Sequence, residues 1–194
     1  PSTHDFRGAE TLAVGAESLL RNVAVARDLP EALGACVYAL GTTSRHVAKA
    51  LTPEQAMQRL KEHAARGPVA LVLGGEKRGL SDDELGHCHD VAVIPTHSEQ
   101  PSMNLSQAAA VLFYLWSRTG ELVAPTEDGA RGQTLQALEA KLHAALDAIG
   151  WSNRQAPQHA LRELTRSLVQ GKLTQREAEM WLSVLEHVRR RAGG

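Results

Sequence analysis

Short apolar runs alternate with amphipathic stretches over the first 120 residues, and this pattern predicts an α/β fold. Two runs, residues 69–73 and 91–94, are rich in Val, Leu and Ile and have the length of buried strands, and residues 36–40 have the same character. A polar loop and a helical pattern follow each run, which predicts parallel strands. Because open α/β sheets bind ligands at the carboxyl ends of their strands, we expect the functional site there.

Apolar residues at helical spacing predict helices at residues 8–21, 53–66 and 103–118, with shorter ones after Asp28 and after Ser81. Ser81 and the acid three residues later form a capping-box pattern, and Thr52 is an N-cap candidate. Residues 23–25 predict a further short strand. No β-rich run occurs beyond residue 132, where helices are predicted at 133–149, 157–169 and 174–191.

The pattern divides the 194 residues into three parts. We predict an α/β domain at residues 1–122 and an all-α C-terminal extension at residues 133–194. Between them, residues 123–132 are predicted to be a linker, which contains Pro125 and Gly129. Charge follows this division, because ten Lys and Arg against six Asp and Glu give residues 131–194 a net charge of +4, whereas residues 1–130 carry −5. A basic extension favours nucleic-acid binding, although an ordinary solvated helical surface is an equal alternative.

Cysteine usage and hydropathy indicate a reducing, cytoplasmic compartment. The chain has only two cysteines, Cys36 and Cys88, and no apolar run approaches the length of a membrane span. His87 and His89 flank Cys88, but no second ligand pair at zinc-like spacing accompanies them, so we predict no metal site.

The loop at residues 74–79 and the helix start after residue 101 carry the candidate chemistry. The loop holds Gly74, Gly75 and Glu76 but lacks the spacing of a P-loop or of a dinucleotide fingerprint. It either forms a tight turn in which Glu76 caps nearby amides, or it lets the backbone approach a ligand closely. Ser102 and Asn104 either cap the helix or bind a polar small molecule.

Together these segments resemble the SpoU-type RNA 2′-O-methyltransferases, which use S-adenosylmethionine. The family's second motif, Gly-x-Glu-x-x-Gly-Leu-Ser/Thr, matches residues 74–81. Its third motif, Ile-Pro followed by a Ser-Leu-Asn-Leu/Val-Ser-x-Ala helix start, matches residues 94–95 and 102–108. The Gly-Thr-Thr-Ser-Arg segment at residues 41–45 and the helical extension look like the bacterial tRNA methyltransferases of this family, which modify a ribose in the anticodon loop.

The resemblance implies a parallel sheet with a deep trefoil knot, S-adenosylmethionine bound in the knot, and a homodimer with the site near the subunit interface. Carried over by position, the cofactor pocket would contain Leu40, Gly41, Thr42, Thr43, Gly74, Gly75, Glu76, Ile94, Pro95, Ser102, Met103 and Asn104. Catalysis would rest on Asn104 and Ser102, with Glu76 orienting its loop. The candidate RNA contacts are Arg45, Lys77, Arg78 and the terminal Arg189, Arg190 and Arg191. For the three terminal arginines, a solvated helix end favoured by the helix dipole is an equal alternative.

The family's first motif, Asn-x-Gly-x-x-x-Arg, has no match in the sequence. The segment from Asn22 to Arg27 is similar but lacks the Gly and is one residue short. We therefore expect the natural protein to have an amino-terminal strand and this motif upstream of Pro1. The main hypothesis is an S-adenosylmethionine-dependent tRNA ribose 2′-O-methyltransferase. The alternatives are an rRNA methyltransferase, a catalytically idle RNA-binding or dimerisation relative, and a generic nucleotide-binding domain.

Overall fold

A three-stranded parallel sheet lies at the centre of the molecule. The computed structural model describes residues 7–120, 129–151 and 157–192. The strands are β1 (Tyr38–Thr42), β2 (Val69–Val72) and β3 (Asp90–Ala92), in the order β2-β1-β3. All three predicted strands and their parallel direction are confirmed.

Three strand predictions need correction. β3 ends at Ala92 rather than at Ile94, because pairing with β1 stops at Ala92 and the amide of Val93 donates to the Leu51 carbonyl. β1 begins two residues later than predicted, because the amide of Cys36 donates to the Leu33 carbonyl in a turn and pairing with β2 begins only at Tyr38. The strand predicted at residues 23–25 is wrong. Val23 and Val25 there are 47% and 66% exposed, so neither side chain has the apolar surroundings that favour a strand.

Nine helices occur in the described parts of the chain. They are α1 (Arg7–Glu10), α2 (Glu17–Arg21), α3 (Leu29–Leu33), α4 (Pro53–Ala64), α5 (Asp82–Gly86), α6 (Leu105–Arg118), α7 (Gly132–Ala148), α8 (Pro157–Gln170) and α9 (Gln175–Ala192). The single helix predicted at 8–21 is instead α1 and α2, since Gly15 between them has a left-handed backbone with φ of 78°.

Local capping explains why several helices begin where the sequence predicts. Thr52 and Ser81 each accept a hydrogen bond from the third helical amide and form complete capping boxes with Gln55 and Glu84. The Asp28 side chain caps α3 in the same way by accepting from the amide of Glu31.

Helices cover both faces of the sheet. On one face, Leu33 of α3 and Leu85 of α5 pack with Cys88 against Ala39 and Val91. On the other, α4 and α6 pack their apolar sides on Tyr38 and Leu40. The sheet is therefore buried on both sides, as parallel sheets are, and its strand ends remain the accessible part.

The C-terminal helices have a core of their own and also contact the α/β part. Leu138 and Ala145 of α7 pack against Leu185 of α9. At the junction the amide of Gly132 donates to the Cys36 carbonyl at 2.8 Å, and Lys172 Nζ lies 2.8 Å from Asp90 Oδ2.

The three helices predicted beyond residue 132 are confirmed, whereas most of the predicted linker lies outside the described residues. None of the helices described is both long and apolar enough to span a bilayer.

Candidate functional site

A cleft opens at the carboxyl ends of the three strands, and we call it the strand-end cleft. It encloses about 680 Å³ including its open mouth. It is lined by Thr42, Thr43, Ser44, Leu73, Gly74, Gly75, Glu76, Gly79, Ala92, Ile94, Thr96, Pro101, Ser102, Met103, Leu105 and Ala108. Its mixture of apolar and polar groups is typical of small-molecule sites.

The first wall of the cleft is the segment that leaves β1, residues 42–45. Thr42 Oγ1 donates to the Val72 carbonyl at 3.1 Å, and the amide of Thr43 donates to the Ala92 carbonyl at 3.1 Å. These two bonds join the end of β1 to both neighbouring strands. The wall is thus fixed by the sheet itself.

The opposite wall is the segment at residues 74–80, which we call the glycine loop. The amide of Gly79 donates to the Gly75 carbonyl at 2.8 Å, which closes a tight turn, and Gly79 has φ of 64°. A Cβ on Gly74 would lie 2.2 Å from the Gly79 carbonyl carbon, so only glycine fits there. The turn leaves Glu76 exposed at the mouth of the cleft.

The third side is the start of α6. Asn104 is its N-cap, and Asn104 Oδ1 accepts from the amide and the hydroxyl of Ser106 at 2.9 and 2.6 Å. Ser102 and Met103, just before the cap, line the cleft. The capping interpretation of Asn104 is therefore confirmed as a structural role.

The structure brings most of the predicted cofactor residues together at this cleft. Those that line it are Thr42, Thr43, Gly74, Gly75, Glu76, Ile94, Ser102 and Met103. The other four do not line it. Leu40 is fully buried in the sheet, a Cβ on Gly41 would lie 2.9 Å from Cys88 Sγ, and Asn104 caps α6. Pro95 lines a neighbouring groove on the α6 side. Cofactor contact by any of these residues stays a prediction.

Several lining residues were missed by sequence reasoning. They are Ser44, Leu73, Gly79, Ala92, Thr96, Pro101, Leu105 and Ala108. Most lie within two residues of a predicted site residue at a strand end or at the start of α6. Adjacency to the three strand ends is the sequence signal that identifies them.

The predicted RNA-contacting residues differ in their surroundings. Lys77 and Arg78 are exposed on the glycine loop. Arg45 instead bonds within the protein, with Nη1 2.8 Å from Asp82 Oδ1 and Nη2 2.8 Å from the Leu80 carbonyl. Arg189 and Arg190 bond to Glu186 on their own helix.

A polar cluster occupies the opposite, amino-terminal edge of the sheet. Asp90 accepts a hydrogen bond from the Tyr38 hydroxyl at 2.7 Å and pairs with Lys172. His89 Nδ1 accepts from the amide of Ala39 at 3.1 Å, and burial lowers the pKa of His89 to about 4. Desolvation also raises the pKa of the buried Cys88 thiol to about 12. In the described part of the chain, no three His, Cys, Asp or Glu side chains are grouped so that they could hold a metal ion.

Similarity to curated proteins extends over the region that forms the cleft. A tRNA (cytidine/uridine-2'-O-)-methyltransferase TrmJ from Sodalis glossinidius (strain morsitans) is 36% identical over 109 residues, which are 55% of this chain and 43% of that protein. The TrmJ of Cronobacter sakazakii (strain ATCC BAA-894) is 28% identical over 192 residues, or 93% of this chain and 78% of that protein. The chain spans less than half the length of the first of these relatives.

Solved structures have the same fold. The crystal structure of TrmJ from Z. mobilis ZM4 superposes with a TM-score of 0.84 at 27% identity, covering 96% of this chain and 82% of that one. A putative methylase family protein from Neisseria gonorrhoeae has a TM-score of 0.62 at 31% identity, over 68% of this chain and 64% of that one. The sequence profile of the SpoU rRNA Methylase family matches residues 3–114. Since this match includes both motifs and all three walls of the strand-end cleft, the chain belongs to the SpoU rRNA Methylase family.

Proposed function

We propose that the protein transfers a methyl group from S-adenosylmethionine to a ribose 2′-hydroxyl of tRNA, in the anticodon loop. One observation carries the proposal. The two family motifs, which are distant in the sequence, form two walls of one cleft at the strand ends. Relatives named as tRNA 2'-O-methyltransferases favour tRNA over rRNA as the substrate. A tRNA substrate makes the cytoplasm the expected compartment.

The residues of the cleft fit S-adenosylmethionine. Leu73, Ile94 and Met103 supply apolar surface of the kind that a nucleoside base packs against, and Thr43 and Ser102 supply hydroxyls. Gly75 has no side chain, and a Cβ there would meet no atom within 4 Å. A ligand can therefore approach the backbone of the glycine loop closely at this residue. The cofactor, when bound, supplies a methyl group already activated by its sulfonium.

The chain's own residues then have to align the hydroxyl and accept its proton. We assign the alignment to Ser102 and Asn104, with Glu76 orienting the glycine loop, and the Glu76 carboxylate is the one of these three groups that can accept the proton. Ser102 and Glu76 line the cleft. Asn104 Oδ1 bonds to Ser106, so the Nδ2 amide is its group for a ribose oxygen. Lys77 and Arg78, exposed beside the cleft mouth, are the proposed phosphate contacts.

The trefoil knot is part of the proposal. Between β1 and α4 the chain passes to the far side of β3, where the amide of Leu51 donates to the Val91 carbonyl and the Leu51 carbonyl accepts from Val93. Thr43 and Leu51 thus bond to opposite edges of β3, near the end through which the chain leaves that strand. This path supports a knot in which the cleft lies, as does the similarity to the TrmJ structure from Z. mobilis.

We also propose that the chain consists of a methyltransferase domain at residues 1–122, a linker at 123–132 and a helical extension at 133–194.

We further propose that the protein is a homodimer. Phe113 and Tyr114 on α6 are 60% and 64% exposed. Tyr114 lines an open groove with Ile94 and Pro95, directly beside the cleft. A second copy on this groove would bury the Tyr114 ring and place the subunit interface next to the site. Sedimentation of wild type and Tyr114→Asp tests this, with a monomeric variant expected.

Methyl transfer tests the function. Tritiated S-adenosylmethionine and a tRNA transcript should yield label in a dinucleotide that resists alkaline hydrolysis, because a 2′-O-methyl group blocks cleavage. Ser102→Ala and Asn104→Ala should lower the rate by about 10²-fold. Label in an alkali-sensitive product, or in rRNA but not tRNA, would contradict the proposal.

The second candidate is a catalytically idle RNA-binding or dimerisation relative. An Asn-x-Gly-x-x-x-Arg motif upstream of Pro1 in the gene would favour the enzyme, and its absence there would favour the idle relative. The same assay separates the two. An idle protein would bind S-adenosylhomocysteine and tRNA but transfer no label.

A further inference from the structure

The Arg45 guanidinium lies between the two walls of the strand-end cleft. Arg45 belongs to the segment that leaves β1, and its own amide donates to Thr43 Oγ1 at 3.2 Å. Its side chain crosses to the other wall, where Nη2 donates to the Leu80 carbonyl and Nη1 to Asp82 Oδ1, both at 2.8 Å. One side chain thus connects the first wall to the end of the glycine loop and to α5.

The two groups that Arg45 reaches are well placed to fix the glycine loop. Leu80 is 4% exposed and packs in the core, so its carbonyl has a defined position. Asp82 is the first residue of α5, directly after the Ser81 cap. The loop from Gly74 to Gly79 is therefore held at its far end by a bond that comes from the opposite wall.

A guanidinium suits this double contact better than an ammonium. Its planar fork donates to a carbonyl and a carboxylate at once, whereas a lysine presents a single point charge. The carboxylate of Asp82 also offsets the positive charge of Arg45. This makes Arg45 a weaker phosphate contact than the exposed Lys77 and Arg78 on the glycine loop.

We propose that Arg45 is a positioning residue of the cofactor cleft, which holds the glycine loop against the β1 wall through the Leu80 carbonyl and Asp82. The inference rests on the proposed function in that the cleft is taken to bind S-adenosylmethionine. It replaces direct RNA contact, the sequence-based expectation for this residue, with an action through the cleft walls.

Calorimetric titration with S-adenosylhomocysteine tests the proposal on the full chain. Arg45→Lys should weaken binding about tenfold, the effect of losing a hydrogen bond to a charged group. Asp82→Asn should weaken it by roughly two- to fivefold, because the pair is 47% and 79% exposed. Asp83→Asn is the matched control, since it removes the same charge from the same helical turn, and it should bind like wild type.

A second pair of readouts separates positioning from RNA contact. Arg45→Lys should leave tRNA affinity and its salt dependence within about twofold of wild type, whereas Lys77→Ala should lower tRNA affinity and leave S-adenosylhomocysteine binding unchanged. Wild-type cofactor binding by Arg45→Lys, together with a loss of tRNA affinity, would overturn the proposal and restore RNA contact.

Amide hydrogen exchange tests the same contact without any ligand. The bond from Gly79 to the Gly75 carbonyl closes the glycine loop, so loss of the Arg45 contact should speed exchange at Gly79 at least several-fold. Unchanged exchange in Arg45→Lys would overturn the proposal whatever the chain binds. Failure of the wild type to bind S-adenosylhomocysteine, with faster exchange in the variant, would instead overturn the proposed function and leave Arg45 as a purely structural link.

Discussion

Gly74→Ala is the substitution for which the structure predicts the largest local effect. A Cβ at this position would lie 2.2 Å from the Gly79 carbonyl carbon and 2.3 Å from the Leu80 amide nitrogen. Both atoms are backbone, so no side-chain rotation can relieve the overlap. The chain at residues 79–80 would have to move by about 1 Å, away from a Leu80 side chain that is anchored in the core.

The cost follows from this geometry. Overpacking of a well-packed site costs about 1–3 kcal/mol, and a clash with backbone belongs at the upper end. A loss of about 3 kcal/mol in a chain of this size lowers the Tm by roughly 6–12 °C. Because the glycine loop is one wall of the cleft, affinity for S-adenosylhomocysteine should also fall at least tenfold.

Thermal unfolding followed by circular dichroism measures the effect, and Gly75→Ala is the matched control. A Cβ on Gly75 would meet no atom within 4 Å, so its Tm should stay within about 1 °C of wild type. Equal melting temperatures for Gly74→Ala and Gly75→Ala would refute the assignment of Gly74 to a close backbone approach.

Three further predictions concern the sheet edge and the helical extension. Burial lowers the pKa of His89 to about 4 in the folded protein, against about 6.5 in the unfolded chain. The free energy of unfolding should therefore be highest above pH 6.5 and fall by about 2–3 kcal/mol toward pH 4.5. Urea titrations above pH 6.5 and at pH 4.5 should show this loss in the wild type and a smaller one in His89→Gln. Gly132→Ala should lower the Tm by several degrees, since its Cβ would lie 2.2 Å from the Leu33 carbonyl oxygen, whereas Gly86→Ala, in open space, should not. Cys88, with its raised pKa, should react with iodoacetamide at least tenfold more slowly than the half-buried Cys36 in native protein, as read by peptide mass spectrometry; equal rates would contradict its burial.

Local signals made much of the fold predictable from the sequence. The capping boxes at Thr52 and Ser81 involve residues three positions apart, so they can be recognised without tertiary information. The β1 boundary could not be placed in this way, because the start of the strand depends on where β2 begins to pair with it. The helix predicted at residues 8–21 failed for a related reason. Its apolar residues Leu12 and Leu19 are 85% and 71% exposed, so no packing favours a continuous helix over the break at Gly15.

The cleft shows the same division between local and long-range information. The family resemblance put Thr43, Gly75 and Ser102 into one predicted site at the strand ends, and in the structure all three line one cleft. The partner of Arg45 was not predictable, since Asp82 lies 37 residues away and meets it only through the packing of α5 on the sheet. From the sequence alone, Arg45 is a charged residue in a polar loop, and this is equally consistent with contact to RNA.

Calorimetric titration of the chain with S-adenosylhomocysteine shows whether the strand-end cleft binds S-adenosylmethionine. We expect saturable binding of S-adenosylhomocysteine and no binding of ATP or NAD under the same conditions. A folded chain that binds ATP or NAD, or that binds none of the three, would contradict this expectation.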